Sequence, residues 1–127
     1  MRFMIMVKAT PQSEVGGMPD KALTALMADY HEQLAKAGVL LDASQLLPTA
    51  MGWRVRFGAQ GQRQVVDGPS TESQEMLAGY TLIQVRSREE AVEWTRRFPA
   101  PMGAGWSAEI EARQLHEPSG FGPSIQS

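Results

Sequence analysis

Arg54 and Arg56 alternate with Trp53, Val55 and Phe57 in the run Trp-Arg-Val-Arg-Phe. Residues two apart on an extended strand share a face, so the two guanidiniums stand about 7 Å apart on the same side. Forked N–H donors in that arrangement suit a carboxylate or a phosphate. The chain's own carboxylates compete for the same role. Asp67, Glu72, Glu75, Glu109 and Glu111 would close ion pairs with these arginines across a sheet, and structural pairing is the favoured expectation.

A second cluster of chemistry-bearing residues follows in Asp67-Gly68-Pro69-Ser70-Thr71-Glu72-Ser73-Gln74-Glu75. Asp-Gly-Pro reads as a tight reversal, because Gly tolerates positive φ, Pro fixes φ and Asp can bond the next amides. The segment lies between two β-like runs, Gln64–Val66 and Tyr80–Val85, where site loops commonly sit. Asp67 is a turn-former first and a catalytic acid second. Tyr80 begins the next run, and its hydroxyl needs a polar partner if buried.

His31 is the only histidine inside the region that reads as folded. Its imidazole could serve as a general base, since the ordinary pKa is ~6.5. The plainer expectation is a boundary residue of a helix with one solvated nitrogen. His116 adjoins the C-terminal tail and reads as a surface residue. Two distant histidines and no cysteine offer no metal-ligand spacing, so no metal is expected. Neither a phosphate-binding glycine loop nor a G-x-S-x-G elbow is present, and no cofactor is expected.

The elements that must position these groups are legible from periodicity. Phe3 to Lys8 is a strand apolar on both faces, which wants cover on both sides. Pro19-Asp20 opens a helix whose stripe is Leu23, Leu26, Met27, Tyr30, Leu34 and Ala37, and Gly38 ends it. A second strand runs from Val39 to about Leu47, and Trp53–Phe57 pairs with Gln64–Val66 as a hairpin. Tyr80–Val85 is the next strand. Ser87-Arg88-Glu89-Glu90 is a capping box for a second helix with Ala91, Val92, Trp94, Thr95 and Phe98 inward. Ser107–Leu115 is the last strand. The order gives an α+β, ferredoxin-like antiparallel sheet with two helices on one face and an inserted β-hairpin. Its opposite face then needs a partner, which a homodimer packing sheet on sheet would supply.

Length and composition agree with one domain over residues 1–117 and a loose tail over 118–127. A chain of 127 residues can bury roughly two-thirds of its unfolded surface. The net charge is −2 with no basic block, so no nucleic-acid partner is expected. The N-terminal apolar run is too short for a signal core or a membrane span, so the expected location is cytoplasmic, without a membrane partner.

Across residues 1–115 the chain resembles the YCII-related (DGPF-domain) family of small bacterial proteins of mostly unassigned role. The matching residues include Lys8, Ala37-Gly38-Val39-Leu40, Leu46-Leu47-Pro48, Arg54-Val55-Arg56-Phe57 and Asp67-Gly68-Pro69. Glu72, Glu75, Gly79-Tyr80, Glu90-Ala91-Val92-Glu93-Trp94 and Glu109-Ile110-Glu111-Ala112-Arg113 complete the set. The signature Phe is Ser70 here, a frequent Lys is Gln74, and a usual glycine-rich turn reads Asp42-Ala43-Ser44-Gln45. The His/Asp pair of one related branch does not carry over, because its histidine would fall near Met27 or Tyr30. The resemblance implies a dimeric α+β barrel. On this basis the chain is expected to bind a small anionic or aromatic metabolite through Arg54, Arg56, Asp67 and Tyr80. Cofactor-free acid/base activity involving His31 or Asp67 is one extension. The alternative is a non-catalytic accessory or regulatory protein acting through dimerisation and protein partners.

Overall fold

A strand with two apolar faces belongs in the middle of a sheet, and the N-terminal strand takes that place. The computed structural model describes residues 1–10, 21–69, 77–101 and 108–117. In it β1 (Arg2–Lys8) pairs antiparallel with β5 (Leu77–Gln84) on one side and β6 (Ile110–Gln114) on the other. β2 (Leu40–Gln45) adds to the outer side of β5, giving the order β2-β5-β1-β6. Helix α1 (Lys21–Lys36) connects β1 to β2, and α2 (Arg88–Arg96) connects β5 to β6. This is the expected ferredoxin-like α+β plan. The inserted hairpin, β3 (Trp53–Phe57) with β4 (Arg63–Asp67), forms a separate two-stranded sheet.

The register sorts the side chains into two faces. Phe3 lies opposite Ile83, and Ile5 opposite Thr81 and Ala112. On this face Phe3, Ile5 and Ile83 join Tyr30 and Leu34 of α1 and Ala91 and Trp94 of α2 in one buried core. Fully burying a side chain such as Ile5, Leu34 or Ile83 contributes about 1.5–3 kcal/mol each. The other face carries Met4 opposite Leu82 and Met6 opposite Tyr80. These four stay only half-buried, because both helices pack on the first face.

Local chemistry sets the helix ends. Gly38 sits at φ +76°, its N–H reaches the Ala35 carbonyl, and the Val39 N–H reaches Leu34. That pair of bonds is a Schellman ending, and the residue after the glycine, Val39, is buried in the core. At the start of α2, Glu90 N–H donates to Ser87 Oγ at 3.1 Å. The Glu90 carboxylate reaches back one residue further than a standard box, accepting from the Arg86 amide at 3.0 Å.

Boundaries shift in places. β2 stops at Gln45, short of Leu47, and takes in the Asp42–Gln45 stretch. Leu26, expected inside, is 55% exposed, since Leu23, Met27, Tyr30 and Leu34 suffice to line the contact face. Pro19-Asp20, Ser70 to Glu75, Ser107 and the tail from residue 118 lie outside the described residues.

Tyr30 ties the two helices. Its ring packs edge-on against Trp94 and Phe98, and its hydroxyl donates to the Trp94 carbonyl at 2.7 Å. Burial pushes the phenol up to about 12, so it remains a donor throughout the usual pH range. Tyr30→Phe keeps the ring and removes that bond. Chemical denaturation should show a loss of about 1 kcal/mol with an unchanged m-value.

Candidate anion-binding site

The hairpin that carries the two arginines is built by alternation and two glycine-dependent corners. Trp53 pairs with Asp67, Val55 with Val65 and Phe57 with Arg63 on one face. Arg54 and Arg56 lie on the other, opposite Val66 and Gln64. At the tip, Gly58 N–H bonds the Gln62 carbonyl, and Gly61 takes φ +88° to close the turn. At the root, Gly68 N–H donates to the Gly52 carbonyl at 2.9 Å, tying β4 to the short 3-10 turn Thr49–Met51.

Gly68 is required there for a reason other than the one its sequence suggests. Its backbone is not at positive φ; instead, a Cβ would run into the Thr49 carbonyl oxygen. The Gly68–Pro69 peptide is cis. Asp67 is exposed, and its side chain makes none of the expected bonds to following amides among the described residues.

Arg54 is half-buried, and its Nε is shut off from solvent with no hydrogen-bond partner among the described residues. A charged donor held out of water without an acceptor carries an unrecovered desolvation cost. The expected ion pairs do not relieve it. Glu109 and Glu111 instead flank Lys8 Nζ, at 3.6 and 3.2 Å. Asp67 projects from the opposite face of the hairpin. Glu72 and Glu75 lie outside the described residues. Among the described residues, neither Arg54 nor Arg56 is ion-paired. Forked guanidinium donors at this spacing are chemically suited to an oxyanion.

The remaining candidates sit elsewhere. Tyr80 lies on the half-buried face of the main sheet, where its hydroxyl donates to Asp42 Oδ2 at 2.8 Å. Asp42 also accepts from the Ala43 amide through Oδ1, which braces the carboxylate for Tyr80. His31 faces the helix-covered side of the sheet, its Nε2 2.9 Å from Thr81 Oγ1. The structure therefore brings Arg54 and Arg56 together and distributes Asp67, Tyr80 and His31 over three other faces. Thr81 and Asp42 escaped sequence reading. Alternation does put Thr81 on the inward face with Ile83, but nothing local pairs it with His31, fifty residues earlier. No group of three His, Cys, Asp or Glu side chains suited to a metal occurs among the described residues.

Burial lowers the His31 pKa from its ordinary 6.5. The folded state thus favours the neutral imidazole, a form able to accept a proton or to hold the Thr81 hydroxyl. The neutral form's contribution to stability is complete above the unfolded pKa of about 6.5. It is lost as pH falls from there through the lower folded value. Denaturation curves taken from about pH 8 down to about pH 5 should show this loss, and His31→Gln should remove that component. An unchanged slope in the variant would exclude His31 as its source.

Comparison with known proteins places these features in a family. The model of the YCII-related domain matches residues 1–115. An uncharacterised protein of Rhizobium meliloti (strain 1021) is 32% identical over 96 residues, covering 76% of this chain and 73% of that protein. With nearly the whole described fold inside the match, the chain belongs to the YCII-related domain family.

Proposed function

We propose that this chain binds a small anionic metabolite through Arg54 and Arg56. The observation that carries the reading is the pair of guanidiniums on one face of β3, Arg54 and Arg56, neither of them ion-paired among the described residues. A carboxylate or phosphate meets the accessible part of the half-buried Arg54, and Arg56, two residues along β3, adds a second positive charge. Any chemistry at such a site is acid/base work without a cofactor, and His31, against Thr81, lies on a different face from the two arginines. Its place on the helix-covered face makes binding the primary activity and catalysis an extension of it.

Thermal-shift measurements with inorganic phosphate and small mono- and dicarboxylates test this directly. A ligand at a hundred times its Kd adds about 2.7 kcal/mol to stability, a shift of several degrees. Arg54→Gln should abolish the shift, and Arg54→Lys should recover only part, since an ammonium lacks the fork. No shift with any of these anions at matched ionic strength would refute the proposal.

A specific observation favours a second role, assembly as a homodimer, with or without ligand. Met4, Met6, Tyr80 and Leu82 form an apolar centre on the face opposite the helices. Asp42 flanks it on β2 and Arg113 on β6, both in the row of Leu82 and Met4. A two-fold axis along the strands lays the acidic edge of one copy over the basic edge of the other. In this role the protein is an accessory or regulatory subunit. Leu82→Asp should halve the mass measured by light scattering. A monomeric wild-type chain would rule the homodimer out.

A further inference from the structure

A second apolar surface lies on the hairpin, on the side away from the two arginines. Trp53 is 69% exposed, Phe57 67%, Val65 65% and Val55 41%. Two aromatics and two β-branched residues side by side on an isolated two-stranded sheet exceed the scattered exposure normal for a monomer. The same face carries one cation and one carboxylate. Arg63 lies opposite Phe57 near the tip, with its guanidinium 4.9 Å from the ring centre. Asp67 lies opposite Trp53 at the root. Neither is ion-paired among the described residues.

From this pattern we infer that the hairpin face docks on the same face of a second copy of this chain. The inference goes beyond anion binding and uses a different surface from the main sheet. The pattern is complementary to itself under one operation. Consider a two-fold axis lying between two hairpins, perpendicular to their strands and passing through the Val55–Val65 rung. It keeps β3 over β3 and β4 over β4 while exchanging tip and root. Trp53 then lies over the partner copy's Phe57, and Val55 and Val65 each over their own equivalents. Arg63 lies over Asp67, and by symmetry the same contact forms again at the other end. Two sheets packed this way sit about 10 Å apart, a gap that these side chains fill. Aromatic pairs occupy the two ends of the apolar row, and two ion pairs close its rim. The other face-to-face arrangement, tip over tip, has its two-fold along the strands and exchanges β3 with β4, setting Arg63 over Phe57 and Asp67 over Trp53; only the antiparallel arrangement pairs the opposite charges.

Sedimentation velocity and light scattering on the purified full chain test the assignment. Trp53→Lys should halve the wild-type mass, whether or not the main sheet makes a further interface. Arg63→Asp puts like charges at both rims, as does Asp67→Arg, and each should weaken association. An equimolar mixture of these two variants should reassociate, because the two carboxylates of one meet the two arginines of the other. Circular dichroism confirms that each variant is folded, with Val65→Lys as a second disruptive variant if Trp53→Lys is not. A monomeric wild type, or a folded Trp53→Lys that keeps the wild-type mass, would overturn the inference. So would a mixture that fails to reassociate. Leu82→Asp separates this interface from the one on the main sheet, since it leaves hairpin pairing intact.

Discussion

Both helices must share one face of a four-stranded sheet, and Tyr30 holds them to it. Its ring packs against Trp94 and Phe98, and its hydroxyl takes up a carbonyl near the end of α2. That carbonyl also accepts the Arg97 amide at 3.2 Å, so the hydroxyl adds a tertiary bond to a helix-end group already held locally. It also fixes α1 relative to α2, and with that the depth at which Leu34, Ile5 and Ile83 interdigitate. His31 follows Tyr30 in the chain and contacts its ring, so the same anchoring brings the imidazole onto Thr81.

Covering one face leaves the other open, and that asymmetry organises the rest of the molecule. The half-buried face has Met4, Met6, Tyr80 and Leu82 at its centre and charge along its edges. Lys8 is held there by Glu111 and Glu109, which keep it protonated and remove both carboxylates from competition for the arginines. An ion pair at this exposed end adds little stability, yet it decides which cations remain unpaired. Arg54 and Arg56 are the beneficiaries.

The inserted hairpin divides its duties between two faces. One presents guanidiniums, including the dry Arg54 Nε; the other presents an apolar row ended by Arg63 and Asp67. Gly68 makes this possible by letting β4 pass close against the Thr49 carbonyl, where any side chain would collide. The cost of an unsatisfied charged donor is tolerable in a fold whose stability comes from the helix-covered core. Substitutions on this arm can therefore change its two faces without disturbing that core.

The amino-acid sequence alone determined the order of the six strands and two α-helices, the helix boundaries at Gly38 and Ser87, the hairpin pairing of β3 with β4, and the common face of Arg54 and Arg56. These are short-range consequences of periodicity, glycine placement and capping, so they are readable from neighbours in the chain. The 3-10 turn Thr49–Met51 was not legible in the sequence. Tertiary structure alone decided that the Arg54 Nε lacks an acceptor among the described residues, that Glu109 and Glu111 pair with Lys8, and that Asp67 and Tyr80 stand on other faces. It also paired His31 with Thr81 and Tyr80 with Asp42, and gave Gly68 a steric role where sequence suggested a conformational one. Each of these depends on which strands become neighbours and in what register. Alternation says which face a side chain takes, but which distant residue it meets there depends on strands that are far apart in the chain.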